Sequence, residues 1–130
     1  MSYKTFQISD GISLIQETHV ANFMRCNIWH IKGQEFDLLI DTGMGLSSLK
    51  KYILEETSKP IKAIVTHSHF DHCGSLHEFN CRLGHKNEED ILEKTLNDKI
   101  VFSGAWKEIE IIDKKQFPEY SGEKYTVTPA

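Results

Sequence analysis

The sequence predicts a layered α/β domain built on a mixed sheet. Three observations carry that expectation. Short β-branched runs with alternating hydrophobicity fill the N-terminal part, a segment of helical spacing separates the fourth run from a fifth, and Gly, Pro and Asp punctuate the joints. A chain of 130 residues holds one domain with a single modest core, expected over 1–130.

Taken in order, "KTFQI" and "ISLIQE" read as two strands, within 3–8 and 11–17, about the turn Ser9-Asp10-Gly11. "RCNIWHIKG" alternates Cys26, Ile28 and His30 against Asn27, Trp29 and Ile31 and reaches a turn at Gly33. "EFDLLIDTG" follows as the second arm of a hairpin. "LSSLKKYILEE" places Leu46, Leu49, Ile53 and Leu54 at helical spacing, widened by Tyr52, until Lys59-Pro60 breaks it. "IKAIVT" is a strand delivering a histidine-rich segment, "GSLHEF" a short helix, "CRLGH" a further strand and "KNEEDILEKTLND" a polar helix with a thin apolar stripe. Beyond residue 100 the pattern fades, leaving "IEIID" as one candidate strand.

Bulk properties exclude several classes. The net charge of −4 is mild, and no basic stripe favours nucleic acid or an anionic membrane. Apolar runs are too short to span a bilayer, and the N-terminus lacks a signal-peptide core. Three cysteines without a C-x-x-C pair point to reduced thiols and a cytoplasmic compartment.

The chemistry is concentrated in "IVTHSHFDHCGSLHEF", residues 64–79. If the strand runs out at Thr66, His67 and His69 point the same way and converge on one position. Neutral imidazole binds zinc at about 2.0–2.1 Å. Asp71 and His72 then supply an oxygen and a nitrogen to a second position, and Gly74 lets the chain turn away. Two metals roughly 3.5–4 Å apart can clamp attacking and leaving oxygens. The spacing therefore fits two half-built metal sites, rather than a polar loop that merely contains histidines. Asp41 closes "DLLID" before Thr42-Gly43. It is either a turn former or a carboxylate that holds the metal loop by accepting backbone or histidine hydrogens, and the neighbouring motif favours the latter.

Other candidates are weaker. His77 and His85 are expected at the surface, His30 in partly buried packing and His19 in a polar loop. Cys73 is expected as a small buried residue. Trp29, Phe70 and Trp106 line either an apolar pocket or the core.

"THSHFDHCG" resembles the H-x-H-x-D-H signature of the metallo-β-lactamase superfamily, and "LLIDTG" resembles its preceding Asp-Thr-Gly strand end. The order of elements over most of residues 5–95 is similar as well. The resemblance implies an αββα sandwich, here its N-terminal half. It assigns His67 and His69 to a first zinc and Asp71 and His72 to a second, with Asp71 also orienting the nucleophile. It further implies hydrolysis of a small-molecule thioester, of the acyl-coenzyme A kind, or of an ester, by metal-bound hydroxide. Thioesterases carry the nearest likeness through "CNIWHIKGQEFDLLIDTGMGLSSLKKYI", while glyoxalase II-like enzymes and lactonases share the loop.

Complete members carry further ligands in their second half, whereas no histidine follows His85 here. The chain is therefore expected to stop at mid-fold, as a fragment, a truncated product or half of a two-chain assembly, and to be inactive alone. A non-catalytic metal-binding or interaction domain is the rival reading. A half-sandwich also leaves one sheet face uncovered, so a homodimer through that face, or a loosely packed chain prone to aggregate, is expected unless the stretch from Val101 folds over it.

Overall fold

The structure, a computed structural model, describes residues 2–93 and 128–130. The candidate strand "IEIID", Trp106 and the expected fold-back from Val101 lie outside the described residues.

Six strands form one sheet in sequence order: β1 (Tyr3–Ser9), β2 (Ile12–Glu17), β3 (Ile28–Ile31), β4 (Asp37–Ile40), β5 (Ile61–Ile64) and β6 (Cys81–Leu83). The first four pair antiparallel and the last two are parallel additions, which makes the sheet mixed as the sequence predicts. The first hairpin turns at Gly11, whose φ of +75° suits a residue without a Cβ. Helix α1 (Leu49–Leu54) makes the crossover that a parallel β4–β5 pair needs. It is capped at Ser48, whose hydroxyl oxygen accepts the Lys51 amide at 3.2 Å. Glu78 accepts the Leu49 amide at 2.9 Å and so binds that helix start to a later segment.

Alternation decides the two faces of the sheet. Ile15, Ile28, Leu39 and Ala63 point to one side and are buried in a cluster with Leu49 and Ile53 of α1. On the other side Phe6, Leu14, Trp29, Ile40, Ile64 and Leu83 follow one another in register across all six strands. None of these six is buried.

Several expectations need correction. Leu54 is exposed rather than part of the apolar face of α1, because the helix ends there, whereas Leu49 and Ile53 are buried and Tyr52 packs against Tyr3 of β1. His19 lies in the turn after β2, where a loop is expected, and is buried there. "GSLHEF" forms only a 3-10 turn (Leu76–Glu78). The polar segment after His85 begins as a 3-10 turn (Lys86–Glu88) followed by α3 (Glu89–Leu92). His30 is buried against Asp37, with Nε2 2.8 Å from Oδ2. Asp37 also accepts the Gly33 amide at 3.2 Å, closing the β3–β4 turn. No described helix is long and apolar enough to cross a membrane.

Candidate metal centre

The parallel strands β4 and β5 end side by side, and the residues leaving them build the site. Asp41 follows β4 with φ of +64°, a left-handed conformation uncommon outside glycine but tolerated by Asp. Its amide still bonds to the Ile64 carbonyl at 2.8 Å. The carboxylate reaches the end of β5, where Oδ1 accepts the Thr66 amide at 2.8 Å and the Thr66 hydroxyl at 3.0 Å. Its Oδ2 lies 2.9 Å from His72 Nδ1. Burial works against ionisation of Asp41, but the His72 and Thr66 hydrogen bonds hold its carboxyl below the usual carboxylate range.

An ionised carboxylate only accepts, so His72 Nδ1 carries the proton it donates to Asp41. The Thr66 hydroxyl spends its proton on Asp41, so its oxygen accepts from His67 Nδ1, 2.8 Å away. Both rings are thereby left with Nε2 as the free lone pair. Burial and the neighbouring His72 and His69 rings push the His67 pKa down, which favours the neutral, metal-ligating form. For His72, burial pulls the pKa down, but the Asp41 hydrogen bond and the Asp71 and Asp41 charges more than offset it, and the net shift is upward.

The loop brings the four expected residues together. The His67 ring centroid lies 4.6 Å from that of His69 and 4.2 Å from that of His72. Asp71 Oδ2 lies 3.4 Å from His72 Nε2. The route differs in one respect from simple strand alternation. β5 stops at Ile64, and His67 to His69 form an irregular loop leading into a four-residue helix α2 (Phe70–Cys73) that carries Asp71 and His72. Phe70 is wholly buried and anchors this helix in the core, and Cys73 is buried beside it.

Contacts from distant residues hold the loop. Ser68, between the two histidines, donates its amide at 3.0 Å and its hydroxyl at 2.8 Å to Glu88 Oε1. Thr42 donates its amide at 2.8 Å and its hydroxyl at 2.9 Å to the His72 carbonyl, and the Gly74 amide bonds to Gly43 O at 2.8 Å. A Cβ on Gly74 would sit 2.1 Å from the Met44 carbonyl, so glycine is required for this approach. Cys26 Sγ lies 3.6 Å from His72 Nδ1, and Cys26, Asp41 and His72 offer ligand atoms within 4.8 Å of one another. Burial pushes the Cys26 thiol far above its ordinary range, and His72 Nδ1 is already engaged with Asp41. This trio therefore backs the His72 ring and leaves its outer nitrogen to a metal. Three imidazoles and a carboxylate, two of the rings fixed with Nε2 free, are a donor set that fits zinc.

The remaining histidines divide. His85 is exposed, as expected. His77 is half-buried rather than on the surface, because the 3-10 turn lays it against the body. Glu88 and the buried Glu17 lie outside any motif, and the contacts that Thr66 and Cys26 make behind the rings leave no signal in the sequence.

The family model of the metallo-beta-lactamase superfamily matches residues 21–87, half of the chain. The acyl-coenzyme A thioesterase MBLAC2 of Homo sapiens is 35% identical over 111 residues, covering 76% of this chain and 40% of that protein. The MBLAC2 thioesterase of Gallus gallus is 30% identical over 131 residues, covering 94% of this chain and 46% of its own length. The chain thus spans less than half the length of these curated relatives. Among solved structures, the metallo beta lactamase from Erythrobacter litoralis superposes with a TM-score of 0.56 at 18% identity, covering 69% of this chain and 44% of its own. The metallo-beta-lactamase FIM-1 from Pseudomonas aeruginosa, in its mono-zinc form, gives 0.55 at 18% identity, with 70% and 45% covered.

Proposed function

The chain belongs to the metallo-beta-lactamase superfamily, and from that premise we propose that it carries the first half of a zinc-dependent hydrolase site acting on thioesters of the acyl-coenzyme A kind, or on esters. The observation that carries this reading is the convergence of His67, His69, Asp71 and His72 at the end of β5, with Asp41 behind them. The thioesterase name of the relatives supports the substrate class.

In this proposal His67 and His69 hold one ion, Asp71 and His72 a second. Zinc, when bound, supplies a Lewis acid and a hydroxide nucleophile at neutral pH. Asp41 accepts from His72 Nδ1 and, through Thr66, orders His67, so that both rings present Nε2 outward. Asp71, part-exposed beside His72 Nε2, is placed to orient the attacking water. A catalytic zinc takes about three protein ligands and an open position. Four residues divided between two ions fall short of that, so the remaining ligands come from protein beyond this loop. By the same count the 130-residue chain alone turns over little substrate.

A second reading, a metal-binding or interaction domain without catalysis, is favoured by this ligand count. Zinc content measured beside acyl-coenzyme A hydrolysis separates the two. Zinc-dependent turnover that His67→Ala abolishes supports the hydrolase. Zinc bound without turnover, also after addition of the second half of a relative, supports the binding domain. We also propose a cytoplasmic setting, consistent with three free cysteines, and a homodimer through the apolar row from Phe6 to Leu83.

A further inference from the structure

Glu17 is the last residue of β2 and has no exposed surface. Isolated burial of a carboxylate is costly, and a well-packed apolar residue of similar volume is often at least as stable. Burial, chiefly, pushes its carboxyl up to about 7, even though the Met44 and Gly45 amides draw it back down. The position of the group accounts for its presence. Glu17 Oε1 accepts the Met44 amide at 2.8 Å. A Cβ on Gly43 would lie 2.4 Å from that same oxygen, so the carboxylate fills the space under the turn. Gly43 and Gly45 both have left-handed φ, +69° and +79°, and a turn of that kind points successive amides inward at a single acceptor.

The upper side of the same turn touches the metal loop. Gly43 O accepts the Gly74 amide at 2.8 Å. A Cβ on Gly45 would meet Gly74 O at 2.3 Å, so the two backbones are in direct contact. Thr42, one residue earlier, bonds twice to the His72 carbonyl. The turn 42–45 is thus a two-sided clamp with Glu17 beneath it and the C-terminal end of α2 above it.

We propose that Glu17 is a positioning residue for the metal loop, ordering the 43–45 turn so that it fixes the backbone of His72 and Gly74. The inference rests on the reading that the loop binds metal, and goes beyond it by assigning a residue from β2 that touches none of the ligands. A purely structural Glu17 would stabilise the fold without linking to zinc. A positioning Glu17 must be linked in both directions, because coupling free energies are reciprocal.

The test uses the full chain, labelled for amide hydrogen exchange, with zinc delivered against a competing chelator. Zinc should raise protection of the Met44 and Gly45 amides about tenfold and leave the β1–β2 amides of Thr5 and Ile15 unchanged. Glu17→Gln, which keeps an oxygen for the Met44 amide, should retain zinc affinity within about twofold. Glu17→Met, of similar volume without an acceptor, should lose about tenfold, the low end of what losing a supporting partner costs a metal site. Zinc binding with unchanged Met44 and Gly45 protection would overturn the proposal, and so would wild-type affinity in a folded Glu17→Met. If that variant does not fold, the wild-type exchange experiment decides. A wild-type chain that binds no zinc at all would overturn the metal reading itself and this inference with it.

Discussion

Asp41 and His72 lie 31 positions apart in the chain, and one 2.9 Å hydrogen bond from imidazole Nδ1 to carboxylate Oδ2 joins them. The same carboxylate takes the Thr66 amide and hydroxyl, so a single side chain sets the tautomers of two candidate ligands. Asp41→Asn should therefore weaken zinc binding by about 10- to 100-fold while the sheet stays folded. Competition titration against a chelator, with far-UV dichroism as the control for folding, checks this. Undiminished affinity would mean that the rings do not need the carboxylate.

Glu88 holds the loop between His67 and His69 by accepting the Ser68 amide and hydroxyl, without touching either ring. Glu88→Ala strands the buried amide and hydroxyl of Ser68, at a cost of about 1–3 kcal/mol. Denaturant unfolding of the two proteins side by side measures it. A difference inside experimental error would show that water replaces the carboxylate.

Glu17 gives the protein a pH dependence of defined sign. Its folded pKa of about 7 lies above the ordinary 4.5, chiefly because of burial, with Asp71 adding to the rise and Arg25 opposing it. His19 Nε2 also faces it at 3.9 Å. The proton is thus held more tightly in the folded state, and the associated stability is complete below about pH 4.5 and lost as pH climbs through 7. The full effect is on the order of 3 kcal/mol. Metal-free wild type should lose stability between pH 5 and 8 relative to Glu17→Gln. Parallel curves for the two proteins would refute the shift.

At the other end of β4, Asp37 and His30 form a buried pair that takes no part in the metal loop. Burial opposes ionisation of Asp37, but hydrogen bonds from His30, Thr57 and Gly33 hold its pKa below the ordinary range. Removing one partner leaves the other buried and uncompensated, so Asp37→Ala should cost about 3–5 kcal/mol. Zinc affinity of the protein that remains folded should be unchanged. A loss of zinc affinity as large as that of Asp41→Asn would show that the two ends of the strand are coupled.

Much of this was legible in the sequence, for physical reasons. Alternation in "NIWHI" and "DLLI" reflects a sheet with one face against α1, and the buried Ile28, His30 and Leu39 follow that pattern. The candidate ligands His67, His69, Asp71 and His72 are close in sequence, so their spacing already marks them as a group. Helix α2 escaped because four residues show no period, and Leu54 misled because the helix ends before its side chain can reach the core. The contacts of Glu17, Glu88 and Cys26 could not be read, although alternation already placed Cys26 on the Ile28 face. Each acts across a long stretch of chain, through a contact that only the assembled sheet creates. His19 reads as a loop residue because burial of a polar side chain leaves no periodic trace.

The central claim, that residues 67–72 form a metal site, is tested most directly by zinc stoichiometry and affinity of the purified chain and two variants. Wild type should bind zinc, His67→Ala should bind it at least about tenfold more weakly, and the exposed His85→Ala should match wild type. Equal zinc retention by all three proteins, or none by the folded wild type, would contradict the account.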